Sequence, residues 1–326
     1  MLELPIIRDT LRLVGGARYE QSEIQLDTIV TSLDLCGEET TCPQSFIKNN
    51  DDVIPGVNLI YNPTKDMNVR LSWSETVSRP ELRELAPSEF PAQRGDRSTQ
   101  GNPELEQFKI TSYDARWEWF FSPLELVSAG FFYKNLKGPI EGVTILIGPD
   151  PVDTWVNGGD ATLYGFEAEG RKNFGFLNER LRPLSLLVNG TWSDSTVDVP
   201  RQDFFGLTTL QSSGSRPLVG QSPFIVNAAL EYSQPETFTA RMLYFTAAES
   251  ITQAGFNGLA DIKVQRRDQL DAVLIVPLQQ YFGYPLTLRF TTENILNAPY
   301  VFTQGPIVQE KYTNGVKFTI GLTLTQ

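Results

Sequence analysis

The sequence predicts an all-β protein whose strands cross a membrane as part of an antiparallel barrel, and three observations support this fold class. Apolar and polar side chains alternate with a period of two along most of the 326 residues, as they do in strands with two different faces. The alternating segments are long enough to span a bilayer when tilted, and short turns alternate with long loops between them. We therefore expect about 12 long strands in one strongly curved meander sheet.

The segment 111–121 shows the alternation most clearly. One face carries Tyr113, Ala115, Trp117, Trp119 and Phe121, and the other carries Ser112, Asp114, Arg116 and Glu118. The last strand repeats the pattern, because Phe318, Ile320 and Leu322 alternate with Lys317, Thr319, Gly321 and Thr323. The apolar face of such strands contacts lipid in membrane barrels. The predicted lipid-facing residues are therefore Tyr113, Trp117, Trp119, Phe318, Ile320 and Leu322.

The connections between the predicted strands differ in length. The strands are predicted to begin near residues 10, 56, 67, 109, 126, 161, 184, 222, 238, 262, 285 and 311. Short turns include 62–67, 121–125 and 233–238, and long loops are predicted at 29–55, 79–108, 138–160, 196–221, 247–261 and 297–310. Outer-membrane barrels place the short turns toward the periplasm. A soluble β-sandwich also alternates its faces, but long strands and aromatic residues near strand ends favour the barrel.

The charged face of the predicted strands would line the lumen of the barrel. The candidate lumen-facing residues are Arg70, Asp114, Arg116, Glu118, Glu167, Glu169, Arg171, Arg289 and Glu293, together with Arg12, Arg18 and Glu20. They form either a wall that guides a substrate or a set of wetted residues, some of them partners of a plug. Glu167 and Glu169 share a face as a catalytic pair would, but alternation alone places them there.

Composition excludes several other functions. The net charge of −12 and the lack of a basic run argue against a nucleic-acid partner. The sequence contains no histidine, which removes the commonest general base and metal ligand. We expect no enzymatic activity, no cofactor and no metal site. The loop acids Glu38, Glu39, Asp51 and Asp52 lack the spacing of a calcium site and are expected to be solvated.

The two cysteines lie in the polar stretch CGEETTC, as Cys36 and Cys42. This spacing fits a small loop disulfide in an oxidising compartment, and two unrelated thiols are the alternative.

No apolar run has the roughly 20 residues of a spanning helix, and the first residues lack the pattern of a secretory signal. Loop aromatics are candidates for substrate contact, namely Phe90, Trp155, Phe204, Phe205 and Phe256.

Several stretches, in this order, resemble the C-terminal barrel of TonB-dependent receptors. They are LSWSETVSRPELRELAPSEF (71–90), GNPELE (101–106), SYDARWEWFFSP (112–123), FFYKNLKGPIE (131–141), YGFEAEGRKNF (164–174), PLVGQSPFIVNAALEY (217–232) and ENILNAPYVFTQG (293–305). We expect Arg79-Pro80 to mark the exit of a strand, since proline cannot donate to the ladder. Gly101-Asn102-Pro103 predicts a turn, and Gly165 beside Phe166 is expected to leave room where a large lipid-facing ring packs over a neighbouring strand.

The resemblance implies an outer-membrane location, in the lipid bilayer of a Gram-negative-type bacterium. Family barrels have about 22 strands around an N-terminal plug, and TonB supplies energy through a motif ahead of the plug. Residues 1–326 are expected to form a single C-terminal barrel portion without the plug. Family cargoes are iron–siderophore complexes, cobalamin or oligosaccharides, and the sequence does not choose among them. One departure is the final Gln326, since family members end on an aromatic residue.

Two alternatives remain at this stage. One is a passive outer-membrane pore made by closing the 12 or so strands on themselves, which would remove both exposed sheet edges. The other is a soluble all-β binding module. Both would use the same alternating strands. Strand length and the aromatic residues near strand ends favour a membrane barrel over the soluble module, but they do not separate a pore from a receptor.

Overall fold

The computed structural model describes residues 1–30, 42–91, 97–147, 150–198, 202–204, 207–209, 215–255 and 258–324. Strands dominate these residues. Helical structure in them is limited to α1 (Leu82–Leu85), α2 (Gln279–Phe282) and the 3-10 turns Phe174–Phe176 and Glu179–Leu181. Neither described helix has the length and apolar character needed to cross a membrane.

The strands follow one another closely along the chain. In chain order they are β1 (Leu2–Ile7), β2 (Leu11–Val30), β3 (Cys42–Tyr61), β4 (Met67–Ser78), β5 (Glu89–Phe90), β6 (Thr99–Gln100), β7 (Phe108–Ser122), β8 (Glu125–Lys137), β9 (Ile140–Ile147), β10 (Asp150–Asn157), β11 (Ala161–Asn173), β12 (Leu184–Asp198), β13 (Gln202–Phe204), β14 (Leu207–Thr209), β15 (Ser215–Arg216), β16 (Phe224–Gln234), β17 (Phe238–Ala247), β18 (Ser250–Gly255), β19 (Ile262–Val264), β20 (Arg267–Pro277), β21 (Leu286–Glu293), β22 (Tyr300–Gln304), β23 (Ile307–Tyr312) and β24 (Lys317–Leu324).

The main sheet is an antiparallel meander that curls strongly into a half-barrel. Its order is β1-β2-β3-β4-β7-β8-β11-β12-β16-β17-β20-β21-β24, with β15 paired to β12. Each long strand therefore pairs with the next long strand in the chain, as a meander requires. The prediction of about 12 long strands is confirmed, and the N-terminal β1 adds a short edge strand. In the described residues β1 and β24 are the two ends of this path.

Three of the predicted boundaries are wrong. The loop predicted at 29–55 is mostly strand, because β3 begins at Cys42 and pairs with β2 from Val30↔Cys42 to Leu11↔Tyr61. The first half of β3 is mostly polar, so the sequence pattern did not indicate a strand there. The segments predicted to start near 262 and 311 begin with β19 and β23 of a second sheet, and the long strands start at Arg267 and Lys317.

The long connections build that second sheet. Its order is β23-β22-β19-β18-β9-β10-β6-β5, and it includes two parallel pairs, β10 with β6 and β18 with β9. We call it the loop sheet. It has a small core of its own, formed by Val143, Ile145, Val156 and Ala254 with Val219 packed against it. Most of these segments were predicted to be long loops, and β19 and β23 lie at starts predicted for strands of the wall, so the sequence pattern did not predict the loop sheet.

Candidate functional site: the two faces of the curled sheet

Aromatic side chains form rows across one face of the main sheet. In one row Trp73 pairs with Tyr113, Tyr113 with Tyr133, and Tyr133 with Tyr164. A second row, one step along the strands, contains Leu71, Ala115, Phe131, Phe166 and Trp192. The rings contact one another, since the Phe131 and Phe166 centroids lie 5.1 Å apart. We call this side of the sheet the apolar face.

The registers place all six predicted lipid-facing residues on the apolar face. Tyr113, Trp117 and Trp119 alternate along β7, while Phe318, Ile320 and Leu322 alternate along β24. These side chains are not enclosed by protein: Trp119 is 39% exposed and Ile320 is 73% exposed. The structure therefore leaves large rings and aliphatic chains uncovered along one side, where a soluble sandwich would bury them.

Arg116 organises the opposite side, the charged face. Its guanidinium lies 2.9 Å from Glu118 and 3.5 Å from Glu169, and it donates to the Ser128 hydroxyl at 3.1 Å. Glu167 lies at 4.0 Å from the same group. Arg70 reaches the second oxygen of Glu118 at 3.3 Å. The structure thus brings Arg70, Arg116, Glu118, Glu167 and Glu169 together across three strands.

The remaining predicted lumen residues are distributed along the same face. Asp114 accepts a 3.5 Å hydrogen bond from Ser72. Glu293 lies 3.3 Å from Lys317, near the end of the sheet. Within the described residues no ion pair is recorded for Arg171 or Arg289. Arg12 pairs with Glu3, and Arg18 pairs with Glu20.

The charged face has the chemistry of a wetted wall. Glu167 and Glu169 are half-exposed and share one arginine, so their negative charge is compensated only in part. Exposed ion pairs of this kind contribute about 0–1 kcal/mol each and hold a polar surface in shape. Among the described residues, no three Asp, Glu or Cys side chains converge as metal ligands would.

A buried ion cluster fixes the extended β2–β3 hairpin to the strand exit after β4. Asp52 is 2% exposed and accepts from Arg79 at 3.2 Å and from the Gln107 amide at 2.8 Å. Arg79 also donates to Glu20 at 3.0 Å. β4 ends at Ser78, as the Arg79-Pro80 pair predicted. The expectation that Asp52 is solvated is wrong, because the hairpin carries it into this cluster.

The segment after the strand exit folds into a compact unit. Glu81 and Glu84 form a capping box at α1, and burial raises the pKa of the Glu84 carboxyl. Asn102 donates its backbone N–H to Glu84 O at 2.6 Å and its side-chain amide to Trp155 O at 3.0 Å. A Cβ at Gly101 would overlap the carbonyl of Ala86. The predicted turn is thus the joint between α1 and the loop sheet.

Glu141 and Arg216 join the loop sheet to the main sheet. Their side chains are 2% and 3% exposed, and two parallel hydrogen bonds of 2.9 and 2.8 Å connect them. Glu141 also accepts from the backbone N–H of Val219 at 3.0 Å. The sequence analysis did not select either residue. A glutamate just after a Gly-Pro turn and an arginine before proline were the only signals in the chain.

Two other expectations have mixed outcomes. The ring beside Gly165 is not lipid-facing: it belongs to Phe132, which shares the charged face with Gly165 and lies 2.6 Å from where a Cβ would stand. Among the loop aromatics, Phe90 lies under the Arg83 guanidinium at 5.2 Å and Trp155 lies in β10. Phe205, Phe256, Cys36 and the side chains of Phe204 and Cys42 lie outside the described residues, so the loop disulfide stays a prediction.

A curled antiparallel sheet with one exposed apolar face and one charged face defines a β-barrel wall of the membrane type. A family model described as "TonB dependent receptor-like, beta-barrel" matches residues 2–295. The chain therefore belongs to the TonB-dependent receptor family, whose members are transport receptors rather than enzymes.

Solved structures of low sequence identity share the fold. The ferric yersiniabactin uptake receptor FyuA from Yersinia pestis is 13% identical, with a TM-score of 0.60, and the match covers 98% of this chain and 42% of that one. The ferric-catecholate import receptor Fiu from E. coli K12 is 13% identical with a TM-score of 0.63, and the match covers 92% of this chain and 40% of that one. The siderophore receptor PiuA from Acinetobacter baumannii is 12% identical with a TM-score of 0.64, and the match covers 96% of this chain and 41% of that one. This chain thus spans about two fifths of their length. No curated protein matches it significantly.

Proposed function

We propose that residues 1–326 form a C-terminal part of the barrel wall of an outer-membrane transport receptor. The observation that carries the proposal is the division of the sheet into two faces. Trp117 and Trp119 project on one side, and the Arg116 ion cluster lies on the other. In this proposal lipid covers the apolar face and water fills the space beside the charged face.

The spacing of the aromatic residues supports a membrane crossing. Tyr113 and Phe121 lie eight residues apart on the apolar face of β7, which is roughly 26 Å at about 3.3 Å per residue. A strand tilted by about 40° would then cross roughly 20 Å of bilayer between these rings. Outer-membrane barrels have an apolar band about 25 Å tall between their aromatic girdles, and the rings themselves supply much of the difference.

The open edges of the main sheet support completion by further strands. β1 pairs only with β2, and β24 pairs only with β21, among the described residues. An unpaired edge costs several kcal/mol per exposed backbone group in hydrocarbon, so additional strands are needed for a closed wall. The open path also disfavours a passive pore made from these strands alone.

An iron–siderophore complex is the proposed cargo, imported with energy from TonB. Support comes from the similar structures, which are described as receptors for ferric yersiniabactin, ferric catecholates and siderophores. TonB would act through the plug of the complete receptor rather than through this wall.

Cysteine accessibility tests the assignment of the two faces. Arg289 and Phe290 are adjacent exposed residues on opposite faces of β21. In a Cys36→Ser, Cys42→Ser background, Arg289→Cys is expected to react with a membrane-impermeant thiol reagent and Phe290→Cys is expected to be protected in membranes. Equal reaction at both positions would contradict the proposal. Uptake of radioactive iron as ferric siderophores, with and without TonB, tests the cargo and the energy source.

A further inference from the structure

Two turns on the short-turn side of the main sheet expose large apolar side chains. Residues 174–183 connect β11 to β12, and residues 278–285 connect β20 to β21. Phe176, Leu177, Tyr281, Phe282 and Tyr284 are 64%, 65%, 69%, 62% and 69% exposed. We call them the aromatic turns. In contrast, the turns 62–66 and 235–237 read NPTKD and PET.

Both aromatic turns satisfy backbone groups internally. In the first, Leu177 N–H donates to Phe174 O at 3.0 Å and Gly175 N–H donates to the Asn173 side chain at 2.9 Å. In the second, Gly283 ends α2 with a φ of 75° and donates its N–H to Gln279 O at 2.8 Å. Such closure is what a segment needs to approach hydrocarbon without unpaired polar groups.

Lys172 connects the first aromatic turn to the apolar face. Its ammonium lies 5.2 Å from the Phe121 ring and 5.6 Å from the Phe176 ring, and it pairs with Glu125 at 3.0 Å. Phe121 packs against Trp119 with centroids 4.3 Å apart. The exposed ring of the turn therefore continues a surface that already carries the strand tryptophans. A lysine beside aromatic rings at this level suits the boundary between hydrocarbon and head groups.

We propose that the two aromatic turns lie in the interfacial layer of the inner, phospholipid leaflet, with Phe176, Leu177, Tyr281, Phe282 and Tyr284 in contact with lipid. The inference rests on the proposed function, because it extends the lipid-covered apolar face beyond the ends of the strands. The turns anchor the lower edge of the wall, and the Lys172 ammonium lies within reach of lipid phosphates.

A phospholipid surface fits the turns better than a protein partner. The two turns are separated in the sheet by the β16–β17 turn, which carries the polar residues Pro235, Glu236 and Thr237. A single protein patch would meet this polar turn between two turns that carry exposed rings. The rings of Tyr232 and Phe238 lie at the strand ends beside the same polar turn, stacked on the apolar face with centroids 5.4 Å apart. The row of aromatic rings on the lipid-covered face is therefore not interrupted at this turn.

The test measures lipid contact at matched positions of the full chain. Single cysteines are introduced as Phe176→Cys, Tyr284→Cys and Glu236→Cys in the Cys36→Ser, Cys42→Ser background, with Met242→Cys as a mid-strand reference on the apolar face. Each is labelled with a nitroxide after reconstitution into phosphatidylethanolamine and phosphatidylglycerol vesicles. Collision with oxygen reports lipid, and collision with a water-soluble nickel chelate reports water.

We expect the oxygen-to-nickel collision ratio at positions 176 and 284 to exceed that at 236 at least threefold. If the ratios at positions 176 and 284 equal the ratio at 236 while position 242 is in lipid, the turns lie in water and the inference is overturned. The proposed function would remain intact, and the exposed rings would then be available to bind a soluble protein. A water-like ratio at 242 as well would contradict the proposed function itself. Tyr284→Trp is a conservative second variant, and brominated lipid is expected to quench its added fluorescence.

Discussion

Glu141 and Arg216 form a two-pronged ion pair, almost wholly buried, that spans the junction between the loop sheet and the main sheet. Taking two charges out of water is costly, so such a pair stabilises a structure only while both members and their hydrogen bonds remain. Here Glu141 also holds the Val219 backbone. The pair therefore fixes where the loop sheet stands above the charged face.

Replacing one member of this pair is expected to be severe. Arg216→Met should lower the free energy of unfolding by about 3–5 kcal/mol, because it leaves the Glu141 carboxylate buried without its cation. The measurement is urea unfolding of the refolded chain in detergent, together with proteolysis of the loop sheet. Arg182→Met is the control, since its pair with Glu179 is 70% and 75% exposed and should matter by less than about 1 kcal/mol. Equal losses in the two variants would show that the buried pair does not hold the junction.

The Arg116 cluster on the charged face should behave differently. Arg116→Gln is expected to change the free energy of unfolding by less than about 1 kcal/mol, since Arg116, Glu167 and Glu169 are 35%, 49% and 34% exposed and the less exposed Glu118, at 12%, keeps Arg70 as a partner. The same urea denaturation, made in parallel with Arg216→Met, compares the loss of unfolding free energy at the hydrated charged face with the loss at the buried ion pair. A loss as large as that of Arg216→Met would mean that the charged face is a packed interior, which contradicts the proposed lumen.

The joint at Gly101 allows no side chain. Gly101→Ala is expected to displace α1, because the new Cβ would overlap the Ala86 carbonyl, and backbone atoms cannot swing aside as side chains do. The loss of packing at Leu85 and Leu105, which are 2% and 0% exposed, should expose the 79–107 connection to protease. Gly170→Ala is the matched control, since no atom lies within 4 Å of its added Cβ. Unchanged cleavage in Gly101→Ala would contradict the close approach.

Alternation was enough to predict the strands of the main sheet because each of them separates two different environments. Starts at residues 67, 161, 184 and 238 agree with the structure. The same reasoning failed for β3, whose first half, CPQSFIKNNDD, is mostly polar and so shows no clear two-faced pattern. It also missed the loop sheet, whose short strands pair with partners far away in the chain, such as β9 with β18. Pairing over such distances leaves no local signal.

For the charged face, the alternation of side chains predicted which residues share a face but not which of them are in contact. Arg70, Arg116, Glu118, Glu167 and Glu169 share a face because of strand parity alone, and register then determined which of them meet. The solvated role expected for Asp52 was wrong, and its ion pair with Arg79 was not foreseen, since burial in an ion cluster depends on how a hairpin folds back over a strand exit. Glu141 and Arg216 lie 75 residues apart, and their types alone do not distinguish them from solvated surface charges.

The close packing between the paired strands β8 and β11 leads to a prediction about the wall itself. Phe132 and Gly165 are cross-strand partners, and the Phe132 ring lies 2.6 Å from the place of an added Cβ, with the Trp192 carbonyl on the other side. Gly165→Ala must therefore both rotate the ring and move β11 away from β12, and we expect it to lower the free energy of unfolding by about 1–3 kcal/mol, as overpacking does. Gly190→Ala, whose nearest contact would be 3.6 Å, is the control and should stay within about 1 kcal/mol. Adding Phe132→Leu to Gly165→Ala should recover part of the loss if the ring is the obstacle, whereas no recovery would assign the strain to the Trp192 carbonyl and so to the spacing of the strands.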